Sequence, residues 1–160
     1  MPRSTVLVIG VGNEYRSDDA AGILAARRIK ELHPANVTII EESGEGARLI
    51  EAWKDADTVI IIDAASSGSP SGTIHRLDAT RQPIPTKFFH YSTHLFSVAE
   101  AIELARTLNQ LPPRLIVYGI EGKNFFTGTA LSMEVHQAVD KVVKLILKEI
   151  KQQDFSLHSK

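Results

Sequence analysis

The chain has 160 residues, 43% of them hydrophobic, a net charge of −1 and no cysteine. That length suits a single domain with one sizeable core over residues 1–160, and near-neutral charge gives no electrostatic case for nucleic acid or an anionic membrane. The missing cysteines exclude disulfides, thiolate nucleophiles and Cys-ligated metal, so any metal must be held by His, Asp or Glu.

There is no apolar run long enough to span a bilayer, and no signal-peptide pattern follows Met1-Pro2-Arg3. A cytoplasmic monomer is the expectation. The first element is a strand, Val6 to Ile9, which breaks at Gly10-Val11-Gly12-Asn13. Ser17-Asp18-Asp19 then opens a helix running from about Asp18 to His33, and Pro34 ends it. Val37 to Ile40 reads as a second strand, and a short helix follows from Gly46 to Lys54. Asp57 to Asp63 (DTVIIID) is the clearest strand, apolar on both faces as a central parallel strand requires.

Ala64 to Gly72 is a small-residue loop, and Gly72 to Asp78 alternates weakly, as an edge strand does. Arg81 to Tyr91, with two prolines, is an irregular connection. Thr93 is placed to cap a helix from His94 to about Leu108, which presents Leu95, Val98, Ile102 and Ala105 on one face. A strand follows over Leu115 to Ile120. The last helix starts at Ser132, with the stripe Val135, Val139, Val142, Val143, Ile146, Leu147 and Ile150, and Lys151 to Lys160 reads as a frayed tail. Alternating βαβα order predicts an α/β three-layer sandwich. Its twisted sheet is mostly parallel, with helices on both faces and an antiparallel edge strand.

Several chemistries fit poorly. Gly10 and Gly12 begin a dinucleotide fingerprint, but Tyr15 takes the third glycine position and Asp18-Asp19 put negative charge where a phosphate would dock. His90 and His94 have zincin spacing, yet Tyr91 replaces the required glutamate. Gly68-Ser69-Pro70-Ser71-Gly72 has proline at the centre of a would-be nucleophile elbow. His75 falls on the apparent edge strand, His33 and His158 look solvated, and His136 is a surface residue of the last helix.

Three residues share one address. Asp19 follows the first strand, Asp63 ends the third, and His94 opens the helix leading to the last strand. In a doubly wound sheet the carboxyl ends of the first and third strands flank the crevice where ligands bind. Two carboxylates and an imidazole, kept neutral by the helix N-terminus, form an oxygen/nitrogen site for a borderline divalent ion with open positions. Each has a plainer role open to it: an N-cap at Ser17 or Asp18, a turn cap at Asp63, an ordinary helix start at His94.

With Gly10-x-Gly12-Asn13, Asp18-Asp19, Gly22, Asp63 and His94 in that order, the chain resembles the hydrogenase maturation endopeptidases from about Val6 to Ile150. Ala20 stands where many members carry glycine, and Asp19 replaces the glutamate some members use. The resemblance implies an aspartyl endopeptidase-like hydrolase acting on the large-subunit precursor of a nickel–iron hydrogenase. It would remove the C-terminal extension after nickel insertion, with Asp19, Asp63 and His94 as both metal-contacting and catalytic residues. The nickel would arrive with the substrate rather than be tightly held. Two other readings are a nucleotide-dependent transferase on a Rossmann-like fold and a nickel-precursor chaperone that does not cleave.

Overall fold

Four apolar runs assemble as neighbouring parallel strands, and one weakly alternating segment closes the edge. The structure, a computed structural model, describes residues 5–43, 45–85 and 97–158, with side chains of the last helix through Gln152. The strands are β1 (Val6–Val11), β2 (Val37–Glu42), β3 (Thr58–Ala65), β4 (Ile74–Asp78) and β5 (Arg114–Glu121), in the order β2-β1-β3-β5-β4. All adjacent pairs are parallel except β4 with β5. The strands β1 and β3, central and apolar but for Thr58 and Asp63, are buried at every residue.

Strand alternation divides the core into two layers. Val6, Val8, Ile60, Ile62, Ile116 and Ile120 face helices α1 (Ala21–Glu31) and α4 (Met133–His158). Leu7, Ile9, Val59, Ile61, Leu115 and Val117 face α2 (Gly46–Ala52) and α3 (Val98–Thr107). This is the expected three-layer α/β arrangement with an antiparallel edge strand.

Most strands run one or two residues past expectation, β1 to Val11 and β2 to Glu42 among them, and four further boundaries differ for a local reason. Residues Ser17–Ala20 form a 3-10 turn, so the α-helix proper starts at Ala21. Strand β3 runs two residues past Asp63, because β5 keeps pairing with it until Ala65 meets Glu121. Helix α3 starts at Val98, where Ser97 adopts an extended backbone and its Oγ accepts the Glu100 N–H at 3.3 Å. Thr93 and His94 lie outside the described residues. Helix α4 continues to His158, through most of the expected tail. No proline or glycine follows Ile150 to stop it.

Helix α1 sits unusually close to the sheet, and Gly22 is the reason. A Cβ there would lie 2.1 Å from the Ile62 carbonyl oxygen and 2.5 Å from that of Val11. Gly22→Ala must push α1 off β1 and β3, and is expected to cost about 2–3 kcal/mol. Urea unfolding measures this; an unchanged midpoint would contradict the close approach.

A carboxylate crevice at the carboxyl ends of β1 and β3

The winding of the sheet reverses between β1 and β3, since α1 follows β1 on one face and the connection leaving β3 returns through α3 on the other. Open α/β sheets bind ligands at such a point. The loop that enters it is built by glycine and asparagine. Gly12 has φ +152°, and a Cβ on it would stand 2.0 Å from the Asp19 carbonyl oxygen. The Asn13 N–H donates to that same oxygen at 3.3 Å, and the Asn13 Oδ1 accepts the Tyr15 N–H at 2.9 Å in an Asx turn. The chain thereby doubles back, setting Asp19 over the carboxyl end of β1.

Asp63 is 7% exposed and shares the sheet face of Val59, Ile61 and Ala65. Its Oδ1 accepts the Ala64 N–H at 2.8 Å. Burial pushes its carboxyl well above the usual carboxylate range, and the nearby charge of Asp19 pushes it further in the same direction. Two of the three expected site residues are therefore brought together, Asp19 half-buried and Asp63 buried. His94, the third, lies outside the described residues. Among the described residues no three His, Asp or Glu side chains gather to hold a metal.

The adjacent Asp18 does something else entirely. It is fully buried, and neither Ser17 nor Asp18 caps the turn through a side chain. The Asp18 Oδ2 accepts the N–H groups of Lys123 and Asn124 and the Ser132 hydroxyl, each at 2.8 Å, while Oδ1 accepts the Ser132 N–H at 2.8 Å. One carboxylate thus ties the loop after β1 to the loop after β5 and to the start of α4.

Sequence reasoning missed Glu121. It is 1% exposed at the end of β5, and its Oε1 accepts the N–H groups of Ser67 and Ser69 at 2.7 and 2.9 Å. These bonds fold the small-residue loop back against the sheet. The available signal was an acid ending an apolar strand, the same signal that marked Asp63. His75, read as an edge-strand residue, pairs in register with Gly119, which also pairs with Asp63. Its Nε2 lies 3.7 Å from a Glu121 oxygen. His75 and Glu121 therefore share the sheet face that carries Asp63.

The hydrogenase maturation protease family model, described as HycI, matches residues 23–149. The chain belongs to the hydrogenase maturation protease family. Its enzyme class is accordingly endopeptidase. A Methanocaldococcus jannaschii protein provisionally named a hydrogenase maturation protease is 29% identical over 157 residues, covering 94% of this chain and 99% of that one. The hydrogenase maturating endopeptidase HybD from Escherichia coli superposes with a TM-score of 0.75 over 93% of each chain at 21% identity, a likeness of fold. The maturation protease HycI from Thermococcus kodakarensis gives a TM-score of 0.70 at 25% identity, covering 92% of this chain and 93% of that one.

The glycine loop of this protease is not a phosphate cradle. The Gly12 N–H donates to the Glu42 carbonyl at 3.1 Å and the Asn13 N–H to the Asp19 carbonyl, so both donors are already committed to protein oxygens. Among the described residues no helix is long and apolar enough to cross a membrane.

Proposed function

We propose that this protease removes the C-terminal extension of a nickel–iron hydrogenase large-subunit precursor after nickel insertion, working as a monomer in the cytoplasm. It recognises the precursor's nickel through Asp19, Asp63 and His94. The observation that carries the reading is the pairing of Asp19 with the buried Asp63, whose ionisation the Asp19 charge makes more costly, at the switch point of a family member. A divalent cation arriving with the substrate relieves that repulsion and draws Asp63 into its charged form. Such a pair leaves coordination positions open for groups already holding the nickel. The ion then fixes the scissile segment against the crevice. Asp19, the more exposed carboxylate, accepts the proton of the attacking water.

Binding should therefore depend on nickel carried by the substrate. Each tenfold preference for loaded over empty precursor equals about 1.4 kcal/mol of shared-ion interaction. Calorimetry with both precursors, alongside metal analysis of the purified protein, tests this. The expected result is tight binding of the loaded form alone and sub-stoichiometric metal in the isolated protein. Equal affinity for the two forms would refute it.

A further inference from the structure

Tyr15, Phe126 and Met133 are large apolar side chains standing 64%, 82% and 74% exposed. They do not lie on unrelated parts of the surface. Tyr15 and Phe126 belong to the pair of loops tied together at the carboxyl end of the sheet, and Met133 opens α4 beside them. The Gly128 N–H donates to the Tyr15 carbonyl at 2.8 Å, and the Ser17 N–H donates to the Gly128 carbonyl at 2.9 Å. The Ser17 hydroxyl donates to the Phe126 carbonyl at 2.8 Å. The buried Asp18 carboxylate holds the same loop at Lys123 and Asn124 and holds Ser132, the neighbour of Met133.

Both aromatic rings are presented by the same local device. The Tyr15 N–H donates to the Asn13 side chain at 2.9 Å, and the Phe126 N–H donates to the Asn124 side chain at 3.0 Å. Each aromatic thus follows its asparagine by two residues in an Asx turn. The loop can half-bury a ring: Phe125 packs over Gly122, where a Cβ would meet its Cζ at 2.5 Å. Phe126 is nevertheless turned outward. Ser17 holds a left-handed backbone, φ +52°, within these ties. Exposed aromatics on a backbone fixed this firmly lose little freedom on binding, which is the property of an interface anchor.

We infer that Tyr15 and Phe126 form a docking platform for an apolar surface patch of the precursor polypeptide, outside the segment that is cut. The inference rests on the proposed function. The occupant follows from continuity with the crevice: Tyr15 also lines a cavity of about 390 Å³ together with Gly12, Ile23 and Asn13, whose N–H donates to the Asp19 carbonyl. A large protein substrate seated with its scissile segment in the crevice must cover this rim.

The test compares the wild-type chain with the Tyr15→Ser/Phe126→Ser double variant on nickel-loaded precursor. Leu32→Ser, a substitution of an equally exposed side chain at the far end of α1, is the control. The platform predicts a rise in KM of about tenfold or more for the double variant, with kcat retained and Leu32→Ser unchanged. The same loss of affinity should appear when binding of wild type and of the double variant is measured directly on a nickel-loaded precursor whose scissile bond has been made uncleavable. Unchanged KM and unchanged binding, with the wild type cleaving normally, would overturn the platform and leave the protease reading intact. A wild type that does not cleave, but whose precursor binding still depends on Tyr15 and Phe126, would overturn the protease reading and leave the platform.

Discussion

Asp63→Asn is expected to abolish processing while raising the thermal midpoint at neutral pH. The carboxyl of Asp63 is held above its ordinary value of 3.8 by burial and by Asp19. Between the ordinary and the raised value, the folded protein binds more protons than the unfolded chain. Stability therefore falls as pH rises through that window, and is greatest below it. An amide removes the ionisation and keeps the oxygen that accepts the Ala64 N–H. The variant should accordingly lose the decline with pH that wild type shows. Loss of the carboxylate removes an oxygen ligand for the substrate's cation, so cleavage of the loaded precursor should fall below detection. Thermal melts across pH, read beside precursor cleavage, check both halves. A variant less stable than wild type throughout, with activity retained, would make Asp63 a structural residue.

Asp18→Ala should produce the opposite pattern. The side chain is fully buried and accepts four hydrogen bonds, three of them from backbone N–H groups. An ionised carboxylate is acceptor-only, so it suits a position ringed by donors, and even Asp18→Asn would set an NH2 group against them. Removing the acceptor is expected to cost about 3 kcal/mol, a large share of a domain's marginal stability. The loss should be seen as a lowered urea midpoint for both variants, smaller for Asp18→Asn. If Asp18→Ala unfolded at the wild-type midpoint, the tie between the β1 and β5 loops would carry no stability.

The contrast between these neighbours marks how far the sequence could be read. The pattern Asp18-Asp19 pointed to the carboxylate crevice, because two acids past a glycine-broken strand are hard to explain by capping alone. It could not say which acid was which. The donors that claim Asp18 come from Lys123, Asn124 and Ser132, more than a hundred residues away, and only the folded chain brings them in. The sheet was legible for a simpler reason. Continuous apolar runs such as Val59 to Ile62 leave no face for water, and the weak alternation of Ile74 to Asp78 belongs at an edge.

Strand ends were less legible, since pairing rather than composition sets them: Asp63 stays in β3 because β5 extends to Glu121. The α3 boundary carried an unread signal. Ser97-x-x-Glu100 is a capping-box pattern, and Ser97 caps the helix at Val98. Glu121 was readable as an acid ending a strand. Its partners at Ser67 and Ser69 were not, because that loop has no periodicity to place it.

The central claim is that Asp19 and Asp63 read a cation carried by the substrate. Its most direct test is to incubate the purified protease with nickel-loaded and nickel-free large-subunit precursor and to follow the intact mass of each. The account predicts loss of the C-terminal extension from the loaded precursor alone, with no cleavage by Asp19→Asn or Asp63→Asn. Equal cleavage of both precursors by the metal-free enzyme would contradict it.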